Sequence, residues 1–498
     1  MKYCNPIIRG FNPDPSICRV GEDYYLVTSS FEYFPGIPVY HSRDLVNWEQ
    51  IGNCVQEAED FPFMDASDSG GIWAPTIRYE AGKFYVTATF ESQGNFIVHT
   101  TDPAGKWSKP VWVPVGGIDP SIYFEEGRAY YCTNQSLHPG QEEISLYEID
   151  VESGALKGEG RTLWSGIGGG HLEAPHVYRV GEWYYLLTAE GGTNFNHMVT
   201  VARSRALWGP YEGCPWNPVL TNVHDTSKEV LCAGHGDLFC DHRGNWWMVH
   251  LAIRISRRTM THLGRETFLT PVIWQEDWPR VGNHKKAVLD GEGALWSEQE
   301  RGRSWEADFH ISEWEPEWIF LREPQKGAYV RGGGELRLYP SQVHFQDRGN
   351  PVFAAVRQMD FEFEMEAAFT FEPCEIGDKA GIGIVLSSQF YYCFVKKRTE
   401  EGDFLVLEKN AEDMHQTACR IPVPEGELYL SVRGEKEFYY FSYSLDGESF
   451  YEAAKASTRF LACEVSGRCF TGTVTGLHAA CRRETKAVMK VRRFRIRS

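Results

Sequence analysis

The sequence predicts an all-β protein in two parts: a five-bladed β-propeller over residues 1–295 and an antiparallel β-sandwich over residues 305–498, joined by a linker at 296–304. Three observations predict it. A short phrase recurs five times. Asp14-Pro15-Ser16-Ile17 precedes the aromatic pair Tyr24-Tyr25, and the pattern returns as Ala74-Pro75-Thr76-Ile77 with Phe84-Tyr85 and as Asp119-Pro120-Ser121-Ile122 with Tyr130-Tyr131. It returns again as Ala174-Pro175-His176-Val177 with Tyr184-Tyr185, and more loosely as His235-Gly236-Asp237-Leu238 with Trp246-Trp247. Second, the intervals between the first residues of the copies are 60, 45, 55 and 61, a period that holds about four short strands and suits a propeller blade. Third, aromatics make up 14% of the 498 residues alongside 48 Gly and 25 Pro, while long stretches at helical spacing are missing, so strands and turns dominate.

Each blade can be read strand by strand. Residues 16–20 form a strand, 21–23 a turn and 24–28 the returning strand, which is a hairpin. Blade four repeats this over 176–180, 181–182 and 183–188, and in blade five the turn is 241–245. Third strands follow at 39–48 with its exit, at 96–101 and at 199–204. One such sheet cannot cover both its faces, so five stack around a channel. The repeat ends after Trp274, and the polar, Gly-rich stretch 290–303 reads as an interdomain connection. Strand-like stretches at 361–367, 381–386, 438–443 and 490–495 then alternate with turns, as in a sandwich. Helices should be rare throughout.

The formal net charge of −18 argues against nucleic acid or an anionic membrane as partner, since phosphate binding needs a basic footprint. The N-terminal residues lack an apolar signal core, and no run of about 18 apolar residues suggests a membrane span, so a soluble, cytoplasmic protein is expected. Self-association into a homo-oligomer is compatible with the sequence. Thirteen cysteines lie scattered from Cys4 to Cys481 without CxxC or zinc-site spacing and read as free thiols in a reducing compartment.

The repeat itself selects a site. The innermost strand of each blade starts at one mouth of the channel, so residues at one repeat position form a ring there. At that position stand Asp14, Ala74, Asp119, Ala174 and His235, and one place earlier Pro13, Trp73, Ile118, Glu173 and Gly234. An Asp before Pro commonly starts a turn; its return at a converging position points to chemistry instead. Three carboxylates in one aromatic-lined pocket suit glycoside hydrolysis, which needs a base or nucleophile on one side of the sugar and a protonated acid on the other. Blades one and four are not neighbours, so Asp14 and Glu173 should face each other across a gap of about 6.5 to 9.5 Å, the spacing that leaves room for a water and gives inversion. Asp119, in the blade next to Glu173, should raise the pKa of the acid. Glu173 is then the general acid, Asp14 the general base and Asp119 the modulator and orienter. Two alternatives remain at this stage: a retaining five-bladed glycosidase, and a non-catalytic carbohydrate-binding propeller.

These residues, with Asn5-Pro6-Ile7, Phe11-Asn12-Pro13-Asp14-Pro15-Ser16, Phe34-Pro35-Gly36, Gly71-Ile72-Trp73-Ala74-Pro75, Gly117-Ile118-Asp119, Glu173-Ala174-Pro175-His176 and Gly264-Arg265-Glu266-Thr267, carry a resemblance. The chain resembles glycoside hydrolase family 43 in its two-domain β-xylosidase and α-L-arabinofuranosidase branch, over essentially its whole length. The resemblance implies inversion, the same three roles at Asp14, Asp119 and Glu173, and exo action on terminal xylose or arabinose of small oligosaccharides. It adds Phe31, Trp73 and Arg265 as contacts of the terminal sugar, while the ring position makes His235 a candidate contact for water, substrate or a cation. It also implies a C-terminal concanavalin-like jelly roll whose loop 470–476, beginning at Phe470, leans across the pocket. Relatives often carry a second aromatic where this chain has Val474, a departure that bears on the closing contact and on the leaving-group side of the pocket. A channel cation near His235 is compatible with the resemblance, but no dense carboxylate cage is visible, so no cofactor should be required.

Overall fold

The computed structural model describes residues 1–300, 302, 304–467 and 469–498; Arg301 and Arg303 of the expected linker lie outside the described residues. Five antiparallel sheets carry the five copies of the repeat. Their innermost strands are Ser16–Val20, Ile72–Glu80, Ser121–Glu125, Glu173–Val180 and Val230–Cys240, and within each sheet the strands follow in chain order outward. Each innermost strand touches the next and the fifth touches the first, which closes the ring. The first hairpin pairs Ser16–Val20 with Asp23–Val27, and Gly21 turns between them with φ +65°. Blade five runs beyond Trp274, because Glu266–Gln275 pairs with an outermost strand Trp278–Val281.

The recurring aromatics are the mortar between blades. Tyr24 meets Phe239 across the seam of blades one and five, with ring centroids 6.0 Å apart. Tyr25 meets Phe84 at 4.8 Å, Tyr85 meets Phe124 at 5.2 Å, Tyr123 meets Tyr184 at 6.5 Å and Tyr185 meets Trp274 at 4.9 Å. Every seam of the ring thus holds an aromatic contact, mostly edge to face or tilted as the ring quadrupoles favour.

The start of each copy is a strained point. Asp14, Ala74, Asp119, Ala174 and His235 have φ of 55°, 37°, 52°, 51° and 48°. For residues with a Cβ the left-handed region costs roughly 1–2 kcal/mol, and five equivalent outliers mark a built feature rather than chance. In blades two, four and five the strand register slips at this point, a bulge that re-aims side chains toward the channel mouth.

Below the mouth a polar clasp crosses the channel. Arg78 donates to both carboxylate oxygens of Asp237, at 2.8 and 3.1 Å. Asp237 also accepts from Ser16 Oγ at 2.6 Å, from the Ile17 amide at 3.1 Å and from Tyr178 OH at 2.5 Å. Arg78 Nη2 lies 3.0 Å from His176 Nδ1. Blades one, two, four and five are joined through one carboxylate.

The C-terminal part is two eight-stranded antiparallel sheets that enclose a large apolar core including Trp318, Met365, Phe369, Tyr392, Phe441 and Phe494. One of these sheets ends on a strand lent by the propeller: Tyr33–Phe34 pairs with Ile319–Leu321. The lent strand sits between the second and third strands of blade one, so the two parts share backbone hydrogen bonds next to Phe31. The polar stretch expected to be linker contains a strand of its own, because Asp290–Glu292 pairs with Lys2–Cys4. The described residues contain no α-helix, only the short 3₁₀ turns Ala58–Asp60, Phe63–Asp65 and Thr458–Leu461. Among the described residues no helix is long and apolar enough to cross a membrane.

Candidate active site

Four of the five strained positions, Asp14, Ala74, Asp119 and His235, line a cavity of about 650 Å³, and all eight expected site residues line it: Asp14, Phe31, Trp73, Asp119, Glu173, His235, Arg265 and Phe470. The three carboxyls come from blades one, three and four. Asp14 is buried and accepts from Ser29 Oγ at 2.6 Å through one oxygen and from Arg265 Nη1 at 2.8 Å through the other. Ser29 is itself fixed, accepting the amide of the strained Ala74 at 2.7 Å. His235 Nδ1 is 3.6 Å from Asp14 Oδ1, and burial shifts its pKa down, leaving a neutral imidazole near neutrality.

The environments push the carboxyls apart. Burial acts to raise Asp14, but the Arg265 charge, His235 and the Ser29 hydrogen bond outweigh it, and the group sits below its usual range. Glu173 is pushed up to about 7, by burial first and by the Asp14 charge second. Asp119 is raised well above the usual aspartate range by burial and by the charge of Glu173, although it accepts a hydrogen bond from the Ala174 amide. Asp119 and Glu173 therefore titrate as a pair, whose proton is retained to higher pH than either isolated carboxyl would allow.

Arg265 is the junction of the site. Besides Asp14 it reaches Thr193 Oγ1 at 3.0 Å and the Phe470 carbonyl at 3.2 Å. Its guanidinium lies 5.6 Å from the Phe31 ring and 5.5 Å from the Phe470 ring, within cation–π range. The sequence suggested a donor to sugar hydroxyls; here most of its donors serve Asp14 and the loops, while Nε is buried without a partner. Trp73 is set by a bond from Nε1 to the Ser69 carbonyl at 3.0 Å, and the Phe470 amide donates to Ser69 Oγ at 2.9 Å. One serine thus ties an aromatic wall from each part of the molecule.

The sandwich closes one side through Cys463, Glu464, Gly467, Cys469, Phe470 and Thr471. Its loop meets the blade-five loop backbone to backbone. A Cβ at Gly472 would stand 2.1 Å from the Leu263 carbonyl oxygen, so only glycine permits this approach. Val474 is not among the residues that line the cavity. It opens the strand Val474–Ala480 and packs in a buried cluster with Phe11, Phe31 and Tyr33, so it supports the Phe31 wall from behind. Ser29, Thr193, His171, Phe195, Cys463, Glu464 and Cys469 escaped the sequence reading because they lie outside the repeated phrase.

The channel below the site already holds the positive guanidinium of Arg78 on Asp237, and among the described residues no group of three or more His, Cys, Asp or Glu side chains could hold a metal ion.

Comparison with known proteins agrees with this architecture. Residues 3–279 match the family model for glycosyl hydrolases family 43, and residues 306–497 match that for the beta xylosidase C-terminal concanavalin A-like domain. The chain is 38% identical to the non-reducing end alpha-L-arabinofuranosidase BoGH43B of Bacteroides ovatus, over 96% of this chain and 91% of the relative. It is 31% identical to a beta-xylosidase of Bacillus subtilis, over 96% of each chain. Among solved structures, the GH43B protein of a Bacteroides ovatus xyloglucan locus superposes with a TM-score of 0.94 at 36% identity, over 100% of this chain and 99% of that one. A xylan beta-1,4-xylosidase from Bacillus halodurans gives 0.93 at 29% identity, over 99% of this chain and 100% of that one. The chain belongs to glycosyl hydrolases family 43 and is an inverting glycoside hydrolase.

Proposed function

We propose that the pocket removes single xylose or arabinose units from the non-reducing ends of short hemicellulose-derived oligosaccharides, with Glu173 as general acid, Asp14 as general base and Asp119 as modulator of the acid. The opposed shifts of Asp14 and Glu173 within one cavity carry this reading, since paired groups driven apart in pKa mark the acid and the base. Glu173 gives its proton to the glycosidic oxygen as the bond to the anomeric carbon breaks. Asp14 takes a proton from a water that attacks the opposite face, so the product anomer is inverted. Asp119, bound to the Ala174 amide beside Glu173, shares the proton and orients the acid. Trp73, Phe31 and Phe470 offer apolar faces to the sugar ring.

Exo action is supported by the loop of the sandwich leaning on one side of the cavity, which suits a chain end. Xylose and arabinose are supported by the names of the relatives, which include both a beta-xylosidase and an arabinofuranosidase. Short oligosaccharides taken into the cytoplasm would be the natural supply, and no cofactor is needed.

The test is proton NMR of early product from aryl β-D-xylopyranoside and aryl α-L-arabinofuranoside, alongside xylo- and arabino-oligosaccharides. Release of single pentoses with inverted configuration is expected. Absence of pentose release from all of these, or early accumulation of the retained anomer, would overturn the reading.

A further inference from the structure

The wall that the sandwich lends to the pocket carries two thiols that glycoside hydrolysis does not use. Cys463 and Cys469 both line the cavity, and both donate to one acceptor, the Thr471 carbonyl, at 3.2 and 3.7 Å. Cys469 Sγ also lies 3.4 Å from Thr471 Oγ1. The residue between Cys469 and Thr471 is Phe470, whose carbonyl receives Arg265 and whose ring faces the Arg265 guanidinium. The other end of the loop is anchored on blade five: the Cys463 amide donates to the Thr261 carbonyl at 2.9 Å, and the Thr261 amide donates to Glu464 at 2.9 Å. The thiol pair therefore spans the segment that sets Phe470 against the residue holding Asp14.

We propose that Cys463 and Cys469 are a reversible oxidation site, closed to a disulfide by small disulfides such as oxidised glutathione and coupled to the shape of the pocket. The two thiols are already differentiated for exchange. Cys469 is lowered to about 7 by its hydrogen bond with Cys463, which raises Cys463 in turn, so Cys469 supplies the attacking thiolate near neutrality. The Cys469 thiolate attacks one sulfur of the oxidised glutathione; its S–S bond breaks, one glutathione thiolate leaves and a mixed disulfide forms. Cys463 loses its proton and attacks the Cys469 sulfur, expelling the second glutathione thiolate. The two cysteines are oxidised by two electrons, the glutathione disulfide is reduced by two, and the two thiol protons end on the two glutathiones. Closure removes both S–H donors from the Thr471 carbonyl and draws the ends of the loop together, which displaces Phe470 from Arg265. The remaining cavity thiol, Cys232, sits on the innermost strand of blade five, away from this loop in sequence.

The functional consequence rests on the pocket being the hydrolytic site, whereas the bond itself can be read independently. The full chain is incubated with oxidised glutathione, alkylated and mapped without reduction, and kcat/KM is followed with xylobiose. Trypsin cleavage after Arg468 places the two cysteines in different peptides, and fragment sequencing separates Cys469 from Cys481. The expected results are a Cys463–Cys469 cross-link, a fall in kcat/KM of about fivefold or more, and recovery with dithiothreitol. In the Cys469→Ser enzyme, which lacks the attacking thiolate, the ratio of oxidised to reduced activity should stay near one, whereas the Cys463→Ser enzyme, which lacks the resolving thiol, should stop at a Cys469–glutathione mixed disulfide. Two thiols that both remain alkylatable, a cross-link without a change in rate, or a loss of rate that follows a glutathione adduct on Cys232 would each overturn the proposal. The peptide map does not depend on which glycoside is cleaved, so failure of the thiol chemistry and failure of the substrate reading are distinguishable.

Discussion

On the proposed roles, Glu173, raised to about 7, and Asp14, held below the usual aspartate range, would set the pH response. The base must be ionised and the acid protonated, so kcat/KM should fall on the alkaline side as pH rises through about 7, and on the acid side only below the ordinary aspartate range. Replacing Asp119 with Asn takes away the carboxyl with which Glu173 shares its proton and should move the alkaline limb down by about one pH unit; an unmoved limb in the pH–rate profile would deny Asp119 its role. Replacing Arg265 with Met removes the charge that lowers Asp14, so the acid limb should move up while kcat/KM falls by about 10²-fold. The three carboxylates were legible in the sequence because the repeat brings its own position to the mouth. Ser29 and Thr193 were not, because their bonds to Asp14 and Arg265 join loops whose meeting no repeat position encodes.

At the scale of elements, the strained start of each inner strand and the clasp beneath it hold the ring. Asp237 is fully buried; burial acts to raise it, but Arg78, His176 and hydrogen bonds prevail and lower it. The stability this adds is therefore present above the ordinary aspartate value of 3.8 and is lost as pH falls toward the depressed folded value. Replacing Asp237 with Asn strands the Arg78 charge and should cost about 3–5 kcal/mol, read by urea unfolding at neutral pH. A β-branched residue at Ala174, where φ is +51°, should cost about 1–3 kcal/mol by the same measurement. The hairpins were legible because aromatic pairs follow turn residues at constant spacing, and the structure gives those aromatics their reason as seam contacts. The strand Asp290–Glu292 was illegible because its partner is the distant N-terminal segment Lys2–Cys4, and local composition reads only as polar and flexible.

For the whole molecule, the sandwich completes the site rather than hanging beside it. It shares a sheet with the propeller through Tyr33–Phe34 and supplies Phe470 to the cavity. A chain ended at residue 295 should lose about 10²-fold or more in kcat/KM, because the Phe31 and Arg265 contacts of Phe470 disappear; retention of full activity would make the sandwich dispensable. Chelation with EDTA should leave hydrolysis unchanged, since Arg78 supplies the charge in the channel; loss of activity restored by calcium would contradict this. The two-part architecture was legible from the repeat and its end, but the lent strand was not, because pairing between distant segments leaves no local period.

The most direct test of the assignment is the leaving-group dependence of the Glu173→Gln enzyme. Xylobiose needs a proton on its departing oxygen, whereas a dinitrophenyl xyloside does not. If Glu173 is the acid, kcat/KM on xylobiose should fall by ~10²–10⁴-fold while the dinitrophenyl substrate loses less than about tenfold. Equal losses on both substrates, or no loss on xylobiose, would contradict the account.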